Sequence, residues 1–191
     1  MAINYKQCPR CASKNTLKIL YGMPTHEAIE QAEAGKIRLG GCCVIVGGTE
    51  YYCNDCENEW NKEQAIEAAY ERIKGLKASV SGYFGGSYSV EVDLTTGRIT
   101  WHYWDRGEVV DMEYKTANEA TVKRILDELK VINLLNWKRE YKEPGVLDGT
   151  SWSVETIRNG RNIKKYGENK YPDDWADFCK LIRRITGNKF S

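Results

Sequence analysis

The hydrophobic pattern of the first 74 residues predicts short strands and two helices. Residues 17–20 form a brief apolar stretch that fits a strand, and the next segment fits a helix that begins at Pro24 or Thr25 and ends before Gly35. The run "CCVIV" at residues 42–46 lies between two glycine pairs. This arrangement favours a buried strand that turns at the second pair and leads into the next strand.

A change of period near residue 75 marks the expected domain boundary. Asn61 can cap a second helix, because apolar residues then recur at helical spacing as far as Gly75. Beyond this glycine, apolar and polar residues alternate, which is typical of strands with one buried face. We therefore predict two domains, residues 1–74 and residues 75–191.

Two β-hairpins are predicted in the second domain. In the first, residues 88–94 alternate between apolar and polar side chains, and the turn "TTGR" leads into "ITWHYW". In the second, residues 151–167 turn at Asn159 and Gly160. The hairpins resemble each other, because "SYSVEV" in the first and "SWSVET" in the second each precede a glycine-containing turn, another strand and a helix. This similarity fits either an internal duplication or the convergence of antiparallel strands on the same residue types.

Two amphipathic helices accompany these hairpins. Thr116 and Glu119 match a capping box ahead of a long helix, and the last helix begins after Pro172 and ends at Gly187. The apolar stripes of both helices can cover the same face of the sheet. The predicted fold class of this domain is α+β, an antiparallel sheet of two hairpins covered by two helices.

Composition and charge limit the possible partners and locations. The chain is 41% apolar and 29% charged, and it contains six Trp and twelve Tyr, which is enough apolar material for a folded protein. Its formal net charge of +1 gives no overall field for nucleic acid or an acidic membrane. The first residues lack the apolar run of a secretion signal, and the longest apolar run is too short to cross a bilayer. We therefore expect a soluble, cytoplasmic protein without membrane contact.

Four of the seven cysteines form two Cys-x-x-Cys pairs, which predict a metal site. The pairs are Cys8 with Cys11 and Cys53 with Cys56. Two such turns can place four sulfur atoms at the corners of a tetrahedron, about 2.3 Å from a zinc ion. In a reducing compartment such pairs bind metal in preference to forming disulfides. The first domain is then a zinc ribbon with an inserted helix, its zinc is structural because four thiolates fill the shell, and it is unfolded without metal.

Other roles for the cysteines stay open at this point. Cys8 and Cys11 also fit a redox dithiol, but that motif requires a preceding strand, and only seven residues precede Cys8. Cys42 or Cys43 could replace one ligand, although a cysteine in an apolar strand is usually a small buried hydrophobic residue. Cys179 falls on the apolar stripe of the last helix and is predicted to pack in the core.

Three segments of the first domain resemble an uncharacterised family of small bacterial zinc-ribbon proteins. The segments are "CPRCASKN", "YGMPTHEAIEQAEAGKIRLGGC" and "YYCNDCENEW". The family shares a CPxC start, a YGxPT turn, an LGGC strand and a closing CxxC followed by an aromatic residue, and the resemblance covers about the first third of the chain. It implies zinc at Cys8, Cys11, Cys53 and Cys56, and it implies no activity.

The sequence shows no recognisable catalytic arrangement. General acid–base chemistry most often uses histidine. His26 lies near a predicted helix start and His102 lies in a predicted strand, and neither has a nucleophile or an orienting acid at a recognisable spacing. The glycine-rich "GYFGGS" lacks the Lys and Ser/Thr of a P-loop, so a turn between strands is predicted there. An enzyme with a site near His102 is therefore the third hypothesis.

Charge and aromatic residues indicate a candidate binding face on the predicted sheet. Residues 85–114 contain six acidic and two basic residues, whereas residues 158–170 contain five basic residues and one acidic residue. An aromatic surface with neighbouring cations can anchor a protein or stack nucleic-acid bases. The candidate residues are Trp101, His102, Tyr103, Trp104, Arg158, Arg161, Lys164 and Lys165.

Two interpretations of these residues remain. Tryptophans such as these can simply pack in the core or under loops such as "EPGVLDG". If they form a surface instead, the expected function is that of a non-enzymatic zinc-binding protein that binds an unidentified protein partner. Binding of nucleic acid is the alternative.

Overall fold

The computed structural model describes residues 3–43, 46–82, 86–145 and 149–191. These residues form four α-helices, one 3-10 helix and two β-sheets, so the chain has mixed α and β content as predicted. The chain divides into two compact units, residues 3–69 and residues 70–191. Within the described ranges, no helix has both the length and the apolar character needed to cross a membrane.

Residues 3–69 contain a small four-stranded sheet and helix α1. The strands are β1 (Thr16–Leu20), β2 (Ile37–Leu39), β3 (Tyr51–Cys53) and β4 (Glu59–Trp60), in the order β2-β1-β3-β4. β1 and β2 are parallel because α1 (His26–Glu33) connects them, and the other neighbours are antiparallel. Thr25 caps α1 as predicted, since its hydroxyl accepts a hydrogen bond from the N–H of Ala28 at 3.3 Å.

The predicted buried strand at residues 42–46 is wrong for the residues that the structure describes there. Cys42, Cys43 and Val46 are exposed and belong to no strand, and residues 44–45 lie outside the described ranges. Gly41, at φ +91°, turns the chain immediately after the end of β2. An apolar run is buried only where other elements pack on it, and this run follows a turn at the end of a sheet.

Residues 70–191 form a seven-stranded sheet in the order β8-β7-β6-β5-β10-β11-β9. The strands are β5 (Ile73–Ser81), β6 (Ser87–Asp93), β7 (Arg98–Asp105), β8 (Glu108–Thr116), β9 (Glu140–Lys142), β10 (Ser151–Arg158) and β11 (Ile163–Glu168). Both predicted hairpins, β6 with β7 and β10 with β11, are present. β5, β8 and β9 were not predicted. Helix α2 (Lys62–Glu71) ends before Gly75, and β5 follows at once.

The central strand β5 lies between the two segments of similar sequence. β6 and β10 both pair with β5 in antiparallel orientation. Ala78 of β5 faces Val90 on one side and Val154 on the other, so the two "SVE" segments occupy equivalent positions in the sheet. The turn predicted at "GYFGGS" includes residues 83–85, which are outside the described ranges.

Helices α3 (Glu119–Val131) and α4 (Trp175–Thr186) supply buried apolar side chains to this unit. The predicted capping box at Thr116 is wrong. Asn118 is the N-cap of α3, and its side-chain oxygen accepts a hydrogen bond from the N–H of Thr121 at 2.9 Å. Thr116 cannot take this role because it is still the last residue of β8.

Aromatic side chains join α4 to the sheet. The rings of Trp152 on β10 and Trp175 on α4 have centroids 4.6 Å apart. Trp137 contacts both rings, at 6.0 Å and 6.1 Å, and Phe178 of α4 packs on Trp137 at 5.5 Å. Trp137, Trp152 and Phe178 are buried, so most of this aromatic cluster belongs to the core.

Candidate metal centre

The two Cys-x-x-Cys pairs form turns of the same geometry. In the first turn, the N–H of Ala12 donates to the carbonyl of Cys8 at 3.0 Å; in the second, the N–H of Glu57 donates to the carbonyl of Cys53 at 2.9 Å. Ala12 and Glu57 each follow the second cysteine of their pair, and both have positive φ, +61° and +58°. The two turns therefore share the same hydrogen bond and the same backbone conformation, so each holds its two cysteines in the same geometry.

The four thiols lie close enough to hold one metal ion. The Sγ atoms of Cys8 and Cys56 are 3.6 Å apart, and those of Cys11 and Cys53 are 3.5 Å apart. All four sulfur atoms lie within 4.8 Å of one another. Metal–sulfur bonds of about 2.3 Å in a tetrahedron place the sulfur atoms about 3.8 Å apart, so the observed arrangement fits such a site. The predicted association of these four cysteines is confirmed as a cluster that could hold a metal.

The thiols influence one another's ionisation. Burial opposes ionisation of Cys53, but the backbone N–H groups of Asp55 and Cys56 and two neighbouring thiols lower its pKa to about 7. The backbone N–H of Ser13 lowers the pKa of Cys11, yet the thiol of Cys56, burial and the remaining thiols together raise it to about 12. A bound cation would compensate the negative charge of thiolates at this separation. The cluster therefore has the electrostatic character of a cation site.

Hydrogen bonds between side chains tie the two turns together. The carboxylate of Asp55 accepts hydrogen bonds from the hydroxyl of Ser13 and, at 2.7 Å, from the amide of Asn15, and these bonds lower the pKa of Asp55. The amide of Asn54 donates to the side-chain oxygen of Asn15 at 2.9 Å. Such outer contacts orient ligand-bearing segments in metal sites.

A very small apolar core surrounds the cluster. It contains Tyr51, Trp60 and Ala65 together with Cys8 and Cys53, and Tyr5 and Cys56 pack against it. Trp60 is fully buried, stacks on Tyr51 at 5.8 Å and donates its indole N–H to the carbonyl of Tyr5 at 2.8 Å. A core of this size supplies little of the free energy of folding on its own.

The positive φ angles at the two turns give a stability prediction. A left-handed conformation costs a non-glycine residue about 1 to 2 kcal/mol, and glycine loses part of that gain through its greater entropy in the unfolded chain. We therefore expect Ala12→Gly to raise the free energy of unfolding of the metal-loaded protein by about 0.5 to 1 kcal/mol, measured by denaturant titration. Ala34→Gly, at a residue with φ −76°, is the control and should not stabilise. Equal effects at both positions would contradict the explanation.

The other cysteines lie outside the cluster. Cys42 and Cys43 are exposed, with their Sγ atoms 3.9 Å apart, and neither belongs to the four-thiol group found among the described residues. The expectation that they are buried hydrophobic residues is wrong. Cys179 is buried on α4 as predicted, and burial raises the pKa of its thiol.

Two residues of the predicted binding face are buried. The side chain of Trp101 points into the core and donates its indole N–H to the carbonyl of Lys189 at 2.7 Å. Lys165 is only 2% exposed, and its ammonium group donates to the carbonyl of Leu135 at 3.0 Å and to that of Trp137. Neither residue can belong to an exposed binding face, because both lie on the side of the sheet that contributes to the core.

The remaining candidate residues divide between the two sides of the sheet. Tyr103 is half-buried on the same side as Trp101 and contacts Tyr88 at 5.2 Å, whereas His102 and Trp104 lie on the opposite side, 5.9 Å apart. The Nδ1 atom of His102 is buried and has no hydrogen-bond partner among the described residues.

The basic candidates differ in their exposure. Arg161 and Lys164 are exposed, whereas Arg158 is half-buried, and burial and the nearby charge of Arg72 lower its pKa. The eight candidates thus form no single surface.

β8 is an exposed edge strand that was not predicted from the sequence. All nine residues of β8 are exposed, and β8 is the end strand of the seven-stranded sheet. Its apolar side chains Val109, Val110, Met112 and Tyr114 are between 46% and 68% exposed. From Val110 onwards the segment "EVVDMEYKT" alternates apolar and polar residues, so a strand could have been predicted there from the period of two.

The described residues therefore present a four-thiol cluster suited to a metal ion and, elsewhere in the chain, an exposed edge strand with apolar side chains. Thiolate sulfur is a soft ligand that suits zinc, copper(I) and iron–sulfur clusters. Function is carried by such sites and not by fold class alone. No protein-family model and no curated protein matches the chain.

Proposed function

We propose that the chain is a zinc-binding protein that acts as a protein-interaction module. In this proposal residues 3–69 hold a structural zinc ion, and residues 70–191 carry the interaction surface. Four thiolates complete a tetrahedral shell and leave no coordination position for water or substrate, which favours a structural role over a catalytic one. The matched turns and the short antiparallel strands beside them support a zinc ribbon, in line with the resemblance to small bacterial zinc-ribbon proteins.

One observation carries the interaction role. Four exposed apolar side chains lie within six residues of β8, the end strand of the sheet among the residues that the structure describes. Contiguous apolar surface of this kind in a folded protein marks sites of protein contact. A cytoplasmic location fits the proposal, because a reducing compartment keeps the four cysteines available as metal ligands.

Metal content and partner capture on the intact chain test this function. The purified protein is expected to contain one zinc ion per four-thiol cluster, measured by elemental analysis. Chemical cross-linking in cell extract, followed by mass spectrometry, is expected to join the chain repeatedly to the same protein. A chain purified without metal, or one that is cross-linked to nothing, would contradict the proposal.

Binding to DNA or RNA is the competing outcome. A gel shift at two salt concentrations distinguishes it, because binding to phosphates weakens steeply as the salt concentration rises. We expect no retention of either nucleic acid. Salt-sensitive retention would replace the protein-binding proposal with the nucleic-acid alternative.

A further inference from the structure

The free edge of β8 has the features of a site for strand addition. β8 pairs with β7 on one side, and no strand in the described ranges pairs with its other side. An exposed edge of this length is a template for another extended segment, because its unpaired N–H and C=O groups are already arranged as in a sheet.

The register shows which backbone groups face outwards. The N–H of Ala117 donates to the carbonyl of Gly97 at 2.8 Å, directly after the pair formed by Arg98 and Thr116. Hydrogen-bonded and non-hydrogen-bonded pairs alternate along an antiparallel ladder. Met112, Tyr114 and Thr116 therefore occupy non-hydrogen-bonded positions opposite β7, and their backbone groups point to the free edge.

The two sides of β8 differ in chemistry. Asp111 and Glu113 lie opposite Tyr103 and Trp101, on the side of the sheet that contributes to the core. Met112 and Tyr114 lie on the other side, opposite His102 and Thr100. A segment added to this edge would meet Asp111, Glu113 and Lys115 on one side, where the amide of Asn188 already donates a hydrogen bond to the Glu113 carboxylate at 2.9 Å, and apolar side chains on the other.

This arrangement disfavours a second copy of the same strand. The antiparallel pairing that aligns all nine residues of two β8 strands is centred on Met112 and would place Asp111 of one copy opposite Glu113 of the other. The register centred on Tyr114, which pairs Glu113 with Lys115, would align only residues 112–116. Like charges directly opposite each other destabilise a strand pair. Charge complementarity instead favours a partner that places basic residues opposite Asp111 and Glu113.

We infer that β8 binds an extended protein segment in which basic and apolar residues alternate, by adding it as an eighth strand. This inference rests on the proposed protein-binding function and specifies its site, its mode and the chemistry of the partner. Main-chain hydrogen bonds to the outward groups of Met112 and Tyr114 hold the segment, and its two rows of side chains select it.

Fluorescence anisotropy with the full zinc-loaded chain tests the inference. The probe is a labelled peptide that matches the nine residues of β8 in length and alternates Lys with Val. We expect it to bind, and to bind more weakly as the salt concentration rises. A peptide of the same length that alternates Glu with Val is the charge control and should not bind.

Two protein variants locate the site. Met112→Pro removes one outward N–H without removing a bond to β7, and proline is tolerated at such edge positions. We expect this variant to lower the affinity about tenfold or more, the effect of losing main-chain contacts worth about 1.4 kcal/mol, whereas Met112→Leu leaves it nearly unchanged. The double variant Asp111→Lys/Glu113→Lys is expected to bind the Glu–Val peptide in place of the Lys–Val peptide.

Each remaining outcome has a defined meaning. Absence of binding, or binding that neither variant changes, would overturn the inference. Concentration-dependent dimerisation that Met112→Pro abolishes would overturn it in favour of a second copy. If the wild-type chain and Met112→Pro are cross-linked to the same protein in extract, the proposed function stands and the assignment to β8 fails. If neither captures a protein, the proposed function fails as well.

Discussion

Replacing Cys53 by serine is expected to remove the metal and unfold residues 3–69. Cys53 is fully buried and belongs both to the four-thiol cluster and to the small core around it. Apparent zinc binding worth about 10 to 16 kcal/mol decides folding in small zinc domains. A hydrophobic core in a unit of this size rarely supplies more than about 3 to 5 kcal/mol. A bound zinc ion would therefore dominate the stability of the unit.

Elemental analysis and hydrogen-exchange mass spectrometry measure this effect. In Cys53→Ser we expect loss of zinc and loss of amide protection throughout residues 3–69, with protection retained in the seven-stranded sheet. Cys179→Ser is the matched control, since Cys179 is equally buried but lies on α4, outside the cluster. It should keep its zinc. Retention of both metal and protection in Cys53→Ser would show that the cluster does not determine folding.

The buried Lys165 is expected to make stability increase with pH in the alkaline range. Burial lowers its pKa from 10.5 to about 8. Below pH 8 the lysine is protonated in both folded and unfolded chains, and the folded chain bears the cost of burying the charge. Between about pH 8 and pH 10.5 the folded chain has lost the proton that the unfolded chain still binds, so stability rises with pH. The gain from pH 7 to pH 10 is about 2 to 3 kcal/mol.

Comparison with Lys165→Met isolates this contribution. Other groups also titrate in this range, so the quantity to measure is the difference in free energy of unfolding between wild type and variant at each pH. The variant leaves the carbonyls of Leu135 and Trp137 without this donor, but that cost does not change with pH. We expect the difference to shift in favour of the wild type by about 2 to 3 kcal/mol between pH 7 and pH 10. A difference that is constant with pH would contradict the explanation.

The four-cysteine cluster could be predicted from the sequence because its information is local. Each Cys-x-x-Cys turn brings two sulfur atoms together within four residues, so only the meeting of the two turns depends on the fold. The left-handed backbone conformation of Ala12 and Glu57 could not be predicted from the sequence in the same way. Neither is the glycine or asparagine that usually marks this conformation, so only the backbone angles reveal it.

The binding face was predicted poorly because charge and aromatic content do not report the direction of a side chain. From its charge, Lys165 is expected to lie on the surface. In the structure it lies opposite Val154, on the same side of the sheet as that residue, and both side chains are buried. β5 was missed because Ile73 also continues the helical pattern of α2. β8 was missed although its residues from Val110 to Lys115 alternate between apolar and polar side chains, a period of two that is typical of strands.

The position of β5 has a consequence for synthesis on the ribosome. One partner, β6, follows it directly, but Ser79 of β5 and Ser153 of β10, whose hydroxyls are 2.9 Å apart, are separated by 74 residues. At roughly 5 to 20 residues per second, translation needs about 4 to 15 seconds to cover that distance. For this interval the middle strand of the nascent sheet has one unpaired side, and the growing polypeptide is most exposed to aggregation and to chaperone binding before β10 emerges.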